Sequence, residues 1–314
     1  MEQRYVGRSG LSVSRLGLGT MTWGRDTGPE EAAAQLRTFA EAGGTLVDTA
    51  DVYSGGDSER LLGRLLRDVV PRSEVVIATK AVLTPDGGRP CDASRRHLLT
   101  AVDSSLARLG VDDVELWQLH AFDPEVPLDE TLAAVDAIVS SGRAAYAGVC
   151  NYAGWQVAAA GVAQRATPGH APVVAVQAEY SLLARDAERE LLPAAEFVGA
   201  GVLAWSPLGR GVLTGKYRTG IPADSRAATP HFAEFVRPYL DERSRRVVES
   251  VTTAAEGLGV SPLAVALSWV RDQPGVASAI VGARTDAQLT GVLEAEELVL
   301  PREIREALDD VSAD

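Results

Sequence analysis

The sequence is poor in cysteine and has no long hydrophobic run. Two cysteines, Cys91 and Cys150, are too few to build a disulfide framework in a chain of 314 residues. Unpaired cysteines are typical of a reducing compartment. The first residues include no apolar stretch like that of a secretory signal. These absences predict a cytoplasmic protein.

Positive charge is also scarce. Lys and Arg total 30 against 43 Asp and Glu, which gives a formal net charge of −13 at pH 7. Nucleic acids and anionic membranes attract clustered positive charge, so we expect neither as a partner. A run of about eighteen apolar residues, the minimum for a membrane span, is missing. The acidic surface favours solubility. Whether the chain forms a homo-oligomer is left open by the sequence.

Apolar runs alternate with amphipathic helical stretches along the chain. The helical stretches include Glu30–Ala42, Arg60–Arg67, Ser94–Leu109, Leu128–Ser140 and Glu188–Val198. The apolar runs predict eight strands: Arg15–Leu18, Thr45–Asp48, Val75–Lys80, Val114–Leu119, Ala145–Val149, Val173–Glu179, Val202–Trp205 and Ala277–Val281. This alternation predicts parallel strands with helical crossovers, and eight such units predict an α/β fold of the closed (β/α)8, or TIM barrel, type. We expect one domain over residues 1–314.

Further segments complete the predicted fold. Extended runs on either side of Ser9-Gly10 predict an N-terminal β-hairpin, and Arg302–Asp310 predicts an accessory C-terminal helix. Ser58-Glu59 has the pattern of an N-cap and a first-turn acid. The stretch Pro207–Tyr239 is predicted to be irregular and, at that length, functional. No G-x-G-x-x-G sequence opens the first helix, which argues against a Rossmann fold.

Four polar residues stand where predicted strands end. Asp48, Lys80 and His120 close three of the apolar runs, and Tyr53 lies in the loop after Asp48. Each alone has an ordinary interpretation as a packed, solvated or capping residue. In a (β/α)8 barrel, however, the carboxyl ends of the strands form the active-site face. A phenol, an ammonium, a carboxylate and an imidazole together can deliver a proton.

Motifs along nearly the whole chain support this interpretation. The sequence resembles the aldo-keto reductase family, in the family's order, at Gly17-Leu18-Gly19-Thr20-Met21, Leu46-Val47-Asp48-Thr49-Ala50-Asp51-Val52-Tyr53, Thr79-Lys80, Leu119-His120, Gly148-Val149-Cys150-Asn151, Gln177-Ala178-Glu179-Tyr180-Ser181, Ser206-Pro207-Leu208-Gly209-Arg210-Gly211 and Val281-Gly282-Ala283-Arg284-Thr285. Each motif alone is weak, whereas the ordered set is specific.

The chemistry of the four groups makes Tyr53 the general acid. Lys80 stabilises the phenolate and is expected to lower the pKa of Tyr53, while Asp48 keeps Lys80 charged and in place. His120 is then a neutral donor to a carbonyl oxygen. The hydride must come from a cofactor, because no side chain supplies one. The family resemblance implies NADPH as that cofactor and a small-molecule aldehyde or ketone as the substrate.

The resemblance also implies a cofactor site. Asn151 and Gln177 are expected to hydrogen-bond the nicotinamide carboxamide, and Trp205 to stack on the ring. Arg284 can clamp a 2′-phosphate, which favours NADPH over NADH. The complete expected set is Gly19, Thr20, Met21, Asp48, Asn151, Gln177, Trp205, Ser206, Leu208, Gly209, Gly211, Gly282, Arg284 and Gln288.

Two positions depart from the family pattern at this site. Cys150 stands where the family commonly has Ser, and a thiol is a weaker donor than a hydroxyl. Gly291 stands where Asn is common, which removes an expected contact to adenine. Neither position belongs to the catalytic four.

The predicted substrate pocket is mostly apolar. Its candidate walls are Trp23, Val52, Tyr53, Leu83, His120, Phe122, Tyr152 and Trp205. This mixture suggests a carbonyl compound with an apolar part. The family resemblance leaves a keto-sugar of secondary metabolism open as the substrate, because related reductases act in deoxysugar pathways. Arg226 and Arg237 in the loop Ile221–Tyr239 could accept a phosphate of such a substrate. No metal is expected, because no His/Cys pair has ligand spacing.

Two other functions remain open. A nicotinamide-binding regulatory subunit with slow reductase activity would keep the same four residues and expose a contiguous apolar patch. A (β/α)8 hydrolase or isomerase without nicotinamide would leave the segment around Arg284 unexplained. The leading hypothesis is a carbonyl reductase.

Overall fold

The chain begins with a small antiparallel sheet. The computed structural model describes residues 1–85, 88–223 and 225–313. Strands β1 (Gln3–Tyr5) and β2 (Ser12–Ser14) pair in antiparallel register, which confirms the predicted hairpin. The hairpin lies at the amino ends of the barrel strands, where the Arg8 N–H donates to the carbonyl of Gly199. It leaves the carboxyl ends of the strands free to form a site.

Eight parallel strands follow and close into a barrel. They are β3 (Leu16–Gly19), β4 (Leu46–Asp48), β5 (Val76–Ala81), β6 (Val114–Leu119), β7 (Ala144–Cys150), β8 (Val173–Glu179), β9 (Gly201–Trp205) and β10 (Val276–Val281). Neighbouring strands pair in chain order, and β10 pairs with both β9 and β3. The predicted (β/α)8 barrel is confirmed, and each predicted strand end lies within one residue of the observed end.

Helices surround the barrel. They are α1 (Pro29–Glu41), α2 (Asp57–Asp68), α3 (Arg95–Leu109), α4 (Leu128–Ser140), α5 (Gly154–Ala166), α6 (Leu191–Val198), α7 (Pro230–Val236), α8 (Glu242–Leu258), α9 (Pro262–Arg271), α10 (Asp286–Leu293) and α11 (Arg302–Ser312). The predicted C-terminal helix corresponds to α11, where Asp309 accepts a hydrogen bond from Trp269 of α9. In the described part of the chain, no single helix is long and apolar enough to cross a membrane; α8 and α9 pass that test only as a pair bent by 103°.

Two sequence-based expectations differ from the structure. Ser58 is not an N-cap, because α2 begins one residue earlier and its cap position is Gly56. The Ser58 hydroxyl instead donates to Thr20 Oγ1 at 2.7 Å, which ties α2 to the end of β3. The stretch Pro207–Tyr239 is not wholly irregular, since it contains α7 and the 3₁₀ turns Gly209–Thr214, Arg226–Ala228 and Arg237–Tyr239. Asp224 lies outside the described residues.

The core has two parts. Inside the barrel, strand side chains such as Leu46, Leu116 and Leu203 pack with Val6 and Leu11 of the hairpin segment. A larger cluster fills the layer between the strands and the helices. Parallel strands that are buried on both faces appear in a sequence as continuous apolar runs, and this explains the accurate strand bounds.

Candidate active site

The four predicted catalytic residues lie together at the carboxyl ends of adjacent strands. Asp48 ends β4, Lys80 lies near the end of β5, and His120 directly follows β6. Tyr53 begins a 3₁₀ turn, Tyr53–Gly56, between β4 and α2. Asp48, Tyr53 and His120 line a cavity of about 580 Å³. Lys80 is 1% exposed and lies beneath the cavity surface.

Lys80 and Asp48 form a buried ion pair. Lys80 Nζ donates to Asp48 Oδ2 at 2.7 Å and to the carbonyl oxygen of Thr49 at 2.9 Å. Burial acts to lower the pKa of Lys80, but the charge of Asp48 raises it above its usual value. Lys80 is therefore a fixed cation at neutral pH, as the sequence predicted.

Tyr53 lies beside this cation. Lys80 Nζ is 5.1 Å from the centre of the phenol ring. Burial raises the pKa of Tyr53 to about 12, even though Lys80 acts to lower it. The expectation of a lowered pKa is wrong for the net shift, because the desolvation of a phenolate outweighs a cation that Asp48 already neutralises. Tyr53 therefore holds its proton firmly at neutral pH.

His120 is a neutral group at the same cavity. Its ring centre is 6.0 Å from that of Tyr53, and the two rings meet edge to face. Burial, together with the charge of Lys80, lowers the pKa of His120 to about 3. Among the described residues its Nδ1 atom is buried without a hydrogen-bond partner. An uncharged imidazole donates a hydrogen bond through its one N–H and lacks the acidic second proton of an imidazolium.

Polar amides form one wall of the cavity. Asn151 and Gln177 both line it, as does Trp205, whose indole N–H donates to Asn151 Oδ1 at 3.1 Å. Gln177 Nε2 donates to Asp48 Oδ1 at 2.7 Å, so the amide also holds the carboxylate that holds Lys80. Cys150 Sγ lies 3.6 Å from Gln177 Oε1 and acts as a weak donor to it. The thiol therefore keeps a polar contact despite replacing a serine.

The segment after β9 borders the middle of the cavity. Ser206, Leu208 and Gly211 line it as the resemblance implied. Gly209 is buried and is not among the lining residues. A Cβ on Gly209 would meet Leu183 Cδ1 at 2.8 Å, and its φ of +55° is a conformation that favours glycine. Its role in the structure is therefore close packing.

Cations gather at the far end of the cavity. Gly282, Arg284 and Gln288 line it there, and Gln288 Oε1 accepts a hydrogen bond from the backbone N–H of Arg284. Lys216 and Arg226 also line the cavity. Burial lowers the pKa of Arg226, and the charge of Arg284 acts in the same direction. Such like charges close together favour an anionic ligand.

Gly291, where the family commonly has Asn, is not among the residues that line the cavity. A Cβ built on Gly291 would meet no atom within 4 Å. The space that an Asn side chain would occupy is therefore open.

The remaining predicted nicotinamide contacts divide into two groups. Gly19 and Met21 line the cavity, and so does Thr22, which the sequence did not single out. Thr20 does not line it, because its hydroxyl is fully buried and donates to the carbonyl oxygen of Asp48.

The expected substrate walls are only partly correct. Val52 and Leu83 line the cavity. Trp23 does not, because its side chain is fully buried and its indole N–H donates to Gln35 of α1. Phe122 and Tyr152 are also absent from the lining and instead pack edge to face on each other at 5.4 Å. The sequence missed Arg210 and Phe235, which line the cavity from the segment after β9.

Groups with metal-ligating chemistry do not gather anywhere in the described chain. No set of three His, Cys, Asp or Glu side chains there could hold a metal ion. His170 and His231, which lie outside the cavity lining, are instead paired with Asp136 and Asp26. The cavity itself combines a proton donor, a buried cation, amides and a cationic end.

Comparison with known proteins gives consistent matches. The model of the Aldo/keto reductase family matches residues 15–313. A probable voltage-gated potassium channel subunit beta of Oryza sativa subsp. japonica is 35% identical, over 100% of this chain and 96% of the relative. An uncharacterized oxidoreductase of Bacillus subtilis (strain 168) is 37% identical, over 99% of this chain and 96% of the relative. A probable voltage-gated potassium channel subunit beta of Arabidopsis thaliana is 33% identical, over 95% and 92%.

Proposed function

The chain belongs to the aldo/keto reductase family, and we propose that it reduces an aldehyde or ketone to an alcohol with NADPH as the hydride donor. The observation that carries this proposal is the buried Asp48–Lys80 pair beneath a protonated Tyr53 and a neutral His120 at one cavity. A family membership alone supports an oxidoreductase; this geometry supports carbonyl reduction in particular.

Tyr53 is the proposed general acid. Its raised pKa keeps the proton in place until negative charge develops on the substrate oxygen. The phenolate left behind is stabilised by Lys80, which Asp48 keeps charged. General acid catalysis of this kind contributes about 10²- to 10⁴-fold in rate.

His120 is the proposed orienting donor. Because it is uncharged over the physiological range, it can hydrogen-bond the carbonyl oxygen without competing with Tyr53 as an acid. Val52 and Leu83 supply an apolar wall for the rest of the substrate. We therefore favour carbonyl compounds with an apolar part over keto-sugars.

The cavity has the residues that a nicotinamide dinucleotide requires. Such a cofactor, when bound, would supply the hydride. The amides of Asn151 and Gln177 would bind the carboxamide, and Trp205 would cover the ring. Lys216, Arg226 and Arg284 would bind phosphate at the opposite end, where a 2′-phosphate gives NADPH an advantage over NADH.

A regulatory subunit is the second candidate. It is favoured by the relatives from Oryza sativa and Arabidopsis thaliana, which are named as probable potassium channel beta subunits. Such a protein would bind NADPH through the same residues and turn over slowly. The two candidates therefore differ in turnover and not in cofactor binding.

The test is NADPH consumption by the purified protein with aryl aldehydes, aliphatic aldehydes, diketones and keto-sugars. We expect turnover on an apolar carbonyl, and a loss of at least about a hundredfold in kcat for Tyr53→Phe. Tyr5→Phe is the matched control, because it removes a hydroxyl that is exposed on the hairpin at the other end of the barrel. Near-normal turnover by Tyr53→Phe would remove Tyr53 from the mechanism.

Two other outcomes separate the candidates. Tight NADPH binding without turnover on any carbonyl would favour the regulatory subunit. A protein that binds no NADPH would contradict both.

A further inference from the structure

Arg210 has an unusual backbone conformation for its residue type. It follows β9, with a φ of +57°, and lies between Gly209 and Gly211, which also have positive φ values. A side chain in this left-handed region is disfavoured and persists only where the surrounding structure enforces it. A third glycine would fit this turn more easily. The presence of arginine therefore points to a role for its side chain.

All three nitrogens of the Arg210 guanidinium group donate hydrogen bonds to partners in other segments. Arg210 Nε and Nη2 donate to the two carboxylate oxygens of Glu179 at 2.7 and 2.6 Å, a bidentate ion pair. Glu179 is the last residue of β8. Arg210 Nη1 donates to the carbonyl oxygen of Phe235 in α7. The Arg210 side chain is 15% exposed, so this pair is partly shielded from solvent.

Three aromatic rings also converge on Arg210. The guanidinium carbon is 3.9 Å from the ring centre of Phe235, 4.9 Å from that of Tyr239 and 5.9 Å from that of Trp205. Distances within about 6 Å permit cation–π attraction, and a planar guanidinium stacks better than an ammonium. A single side chain thus links the ends of β8 and β9 to α7 and the turn after it.

These links fix part of the cavity wall. Trp205 and Phe235 lie nearly parallel, with an interplanar angle of 18° and ring centres 6.4 Å apart. Both rings line the cavity together with Arg210. Trp205 also donates a hydrogen bond to Asn151. The orientation of Trp205 therefore depends on Asn151 and, through the stacked ring of Phe235, on Arg210.

We propose that Arg210, through its ion pair with Glu179, is a positioning residue that holds Trp205 and Phe235 as the cover over the nicotinamide end of the cofactor. This inference rests on the proposed function. Arg210 would touch no reacting atom. Its contribution is to the retention of the cofactor and not to the transfer of hydride or proton.

The experiment compares NADPH release from Arg210→Lys and wild type by stopped-flow tryptophan fluorescence. Lysine keeps the positive charge but loses the bidentate pair and the planar stacking. We expect the dissociation rate of NADPH to rise at least roughly tenfold. Because the catalytic residues are untouched, the single-turnover rate at saturating NADPH should change by less than about threefold. In Arg210→Lys the KM for NADPH should rise accordingly, and bound NADPH should quench the fluorescence of Trp205 less than in the wild type.

Two further variants complete the test. Arg237→Lys is the matched control, because Arg237 lies in the same segment but, contrary to the expectation of a phosphate contact, does not line the cavity. Its side chain is 74% exposed and pairs only locally with Glu234 among the described residues. It should release NADPH at the wild-type rate. Glu179→Gln keeps the stacked guanidinium and weakens the ion pair, together with the contact of Glu179 with the Tyr239 hydroxyl, so it should show a smaller increase. It also serves if Arg210→Lys fails to fold.

The possible results distinguish a failure of the role of Arg210 from a failure of the proposed function. Wild-type release from both Arg210→Lys and Glu179→Gln would overturn the inference, as would an equal effect of Arg237→Lys. A lower single-turnover rate in Arg210→Lys and Glu179→Gln, without faster release of NADPH, would also overturn the inference. A wild-type protein that binds no NADPH would instead defeat the proposed function, and with it this inference.

Discussion

Removal of the negative partner of Lys80 should destabilise the protein strongly. Lys80 is 1% exposed, and its Nζ atom bonds to Asp48 and to the carbonyl oxygen of Thr49. Asp48→Asn keeps the shape of the side chain and removes its charge. A buried ion deprived of its partner costs about 3–5 kcal/mol. We expect the free energy of unfolding at neutral pH to fall by that amount.

The free energy of unfolding should also depend on pH with opposite sign in the wild type and in Asp48→Asn. In the wild type Asp48 raises the pKa of Lys80, so this pair contributes its full stability below the unfolded-state pKa of about 10.4 and loses it as pH rises through the folded-state pKa. In Asp48→Asn the largest remaining influence on Lys80 is burial, which lowers its pKa against the smaller effects of Tyr53 and Cys150. The unfolded chain then binds more protons, so stability should rise with pH as Lys80 deprotonates.

The assay is urea denaturation of both proteins from neutral to alkaline pH. Asp57→Asn is the control, because Asp57 is 61% exposed and forms a surface pair with Arg60, worth about 0–1 kcal/mol. The double variant Asp48→Asn/Lys80→Met removes both buried charges and should be more stable than the sum of the two single losses implies. A loss for Asp48→Asn no larger than that of the control, or a deficit that does not shrink at alkaline pH, would refute the reasoning.

Three further predictions follow from single sites. Because the pKa of His120 is about 3, kcat/KM should show no imidazole ionisation near the usual histidine value; an inflection there that disappears in His120→Gln would contradict this. Arg284→Ala should raise KM for NADPH at least roughly tenfold and leave KM for NADH nearly unchanged, and equal effects would argue against a 2′-phosphate contact. Gly63→Ala should lower the free energy of unfolding by about 1–3 kcal/mol, since its Cβ would lie 2.2 Å from the carbonyl oxygen of Leu109. The control is Gly257→Ala, where a Cβ meets no atom within 4 Å.

The barrel could be predicted from the sequence because its strands are buried on both faces. Val114–Leu119 and Val173–Glu179 have the same bounds in the prediction and in the structure. The polar residues that end such runs are conspicuous, and for that reason Asp48, Lys80 and His120 could be identified as a group. Their common location follows from the topology, since parallel strands bring their carboxyl ends to one face.

Side-chain directions in loops could not be predicted in the same way. Trp23 and Leu83 both follow barrel strands, yet Leu83 faces the cavity and Trp23 turns inward to Gln35. Arg210 looks in sequence like any loop arginine, because its partners Glu179 and Phe235 are 31 and 25 residues away.

The direction of the net pKa shift of Tyr53 also could not be predicted from the sequence. The attraction of Lys80 could be foreseen from residue types alone, but the larger effect of burial depends on how the loop packs. Proximity of charges is partly visible in a sequence, whereas the extent of desolvation requires the folded structure.

The most direct test of the proposed carbonyl reduction is the fate of the nicotinamide hydrogen. The protein would be given NADPH deuterated at the transferred position together with the best carbonyl from the panel, and the alcohol would be analysed by mass spectrometry and NMR. We expect deuterium on the carbinol carbon, and product formation that nearly ceases in Tyr53→Phe. An alcohol without deuterium at that carbon, or one formed equally well without NADPH, would contradict hydride transfer from the cofactor.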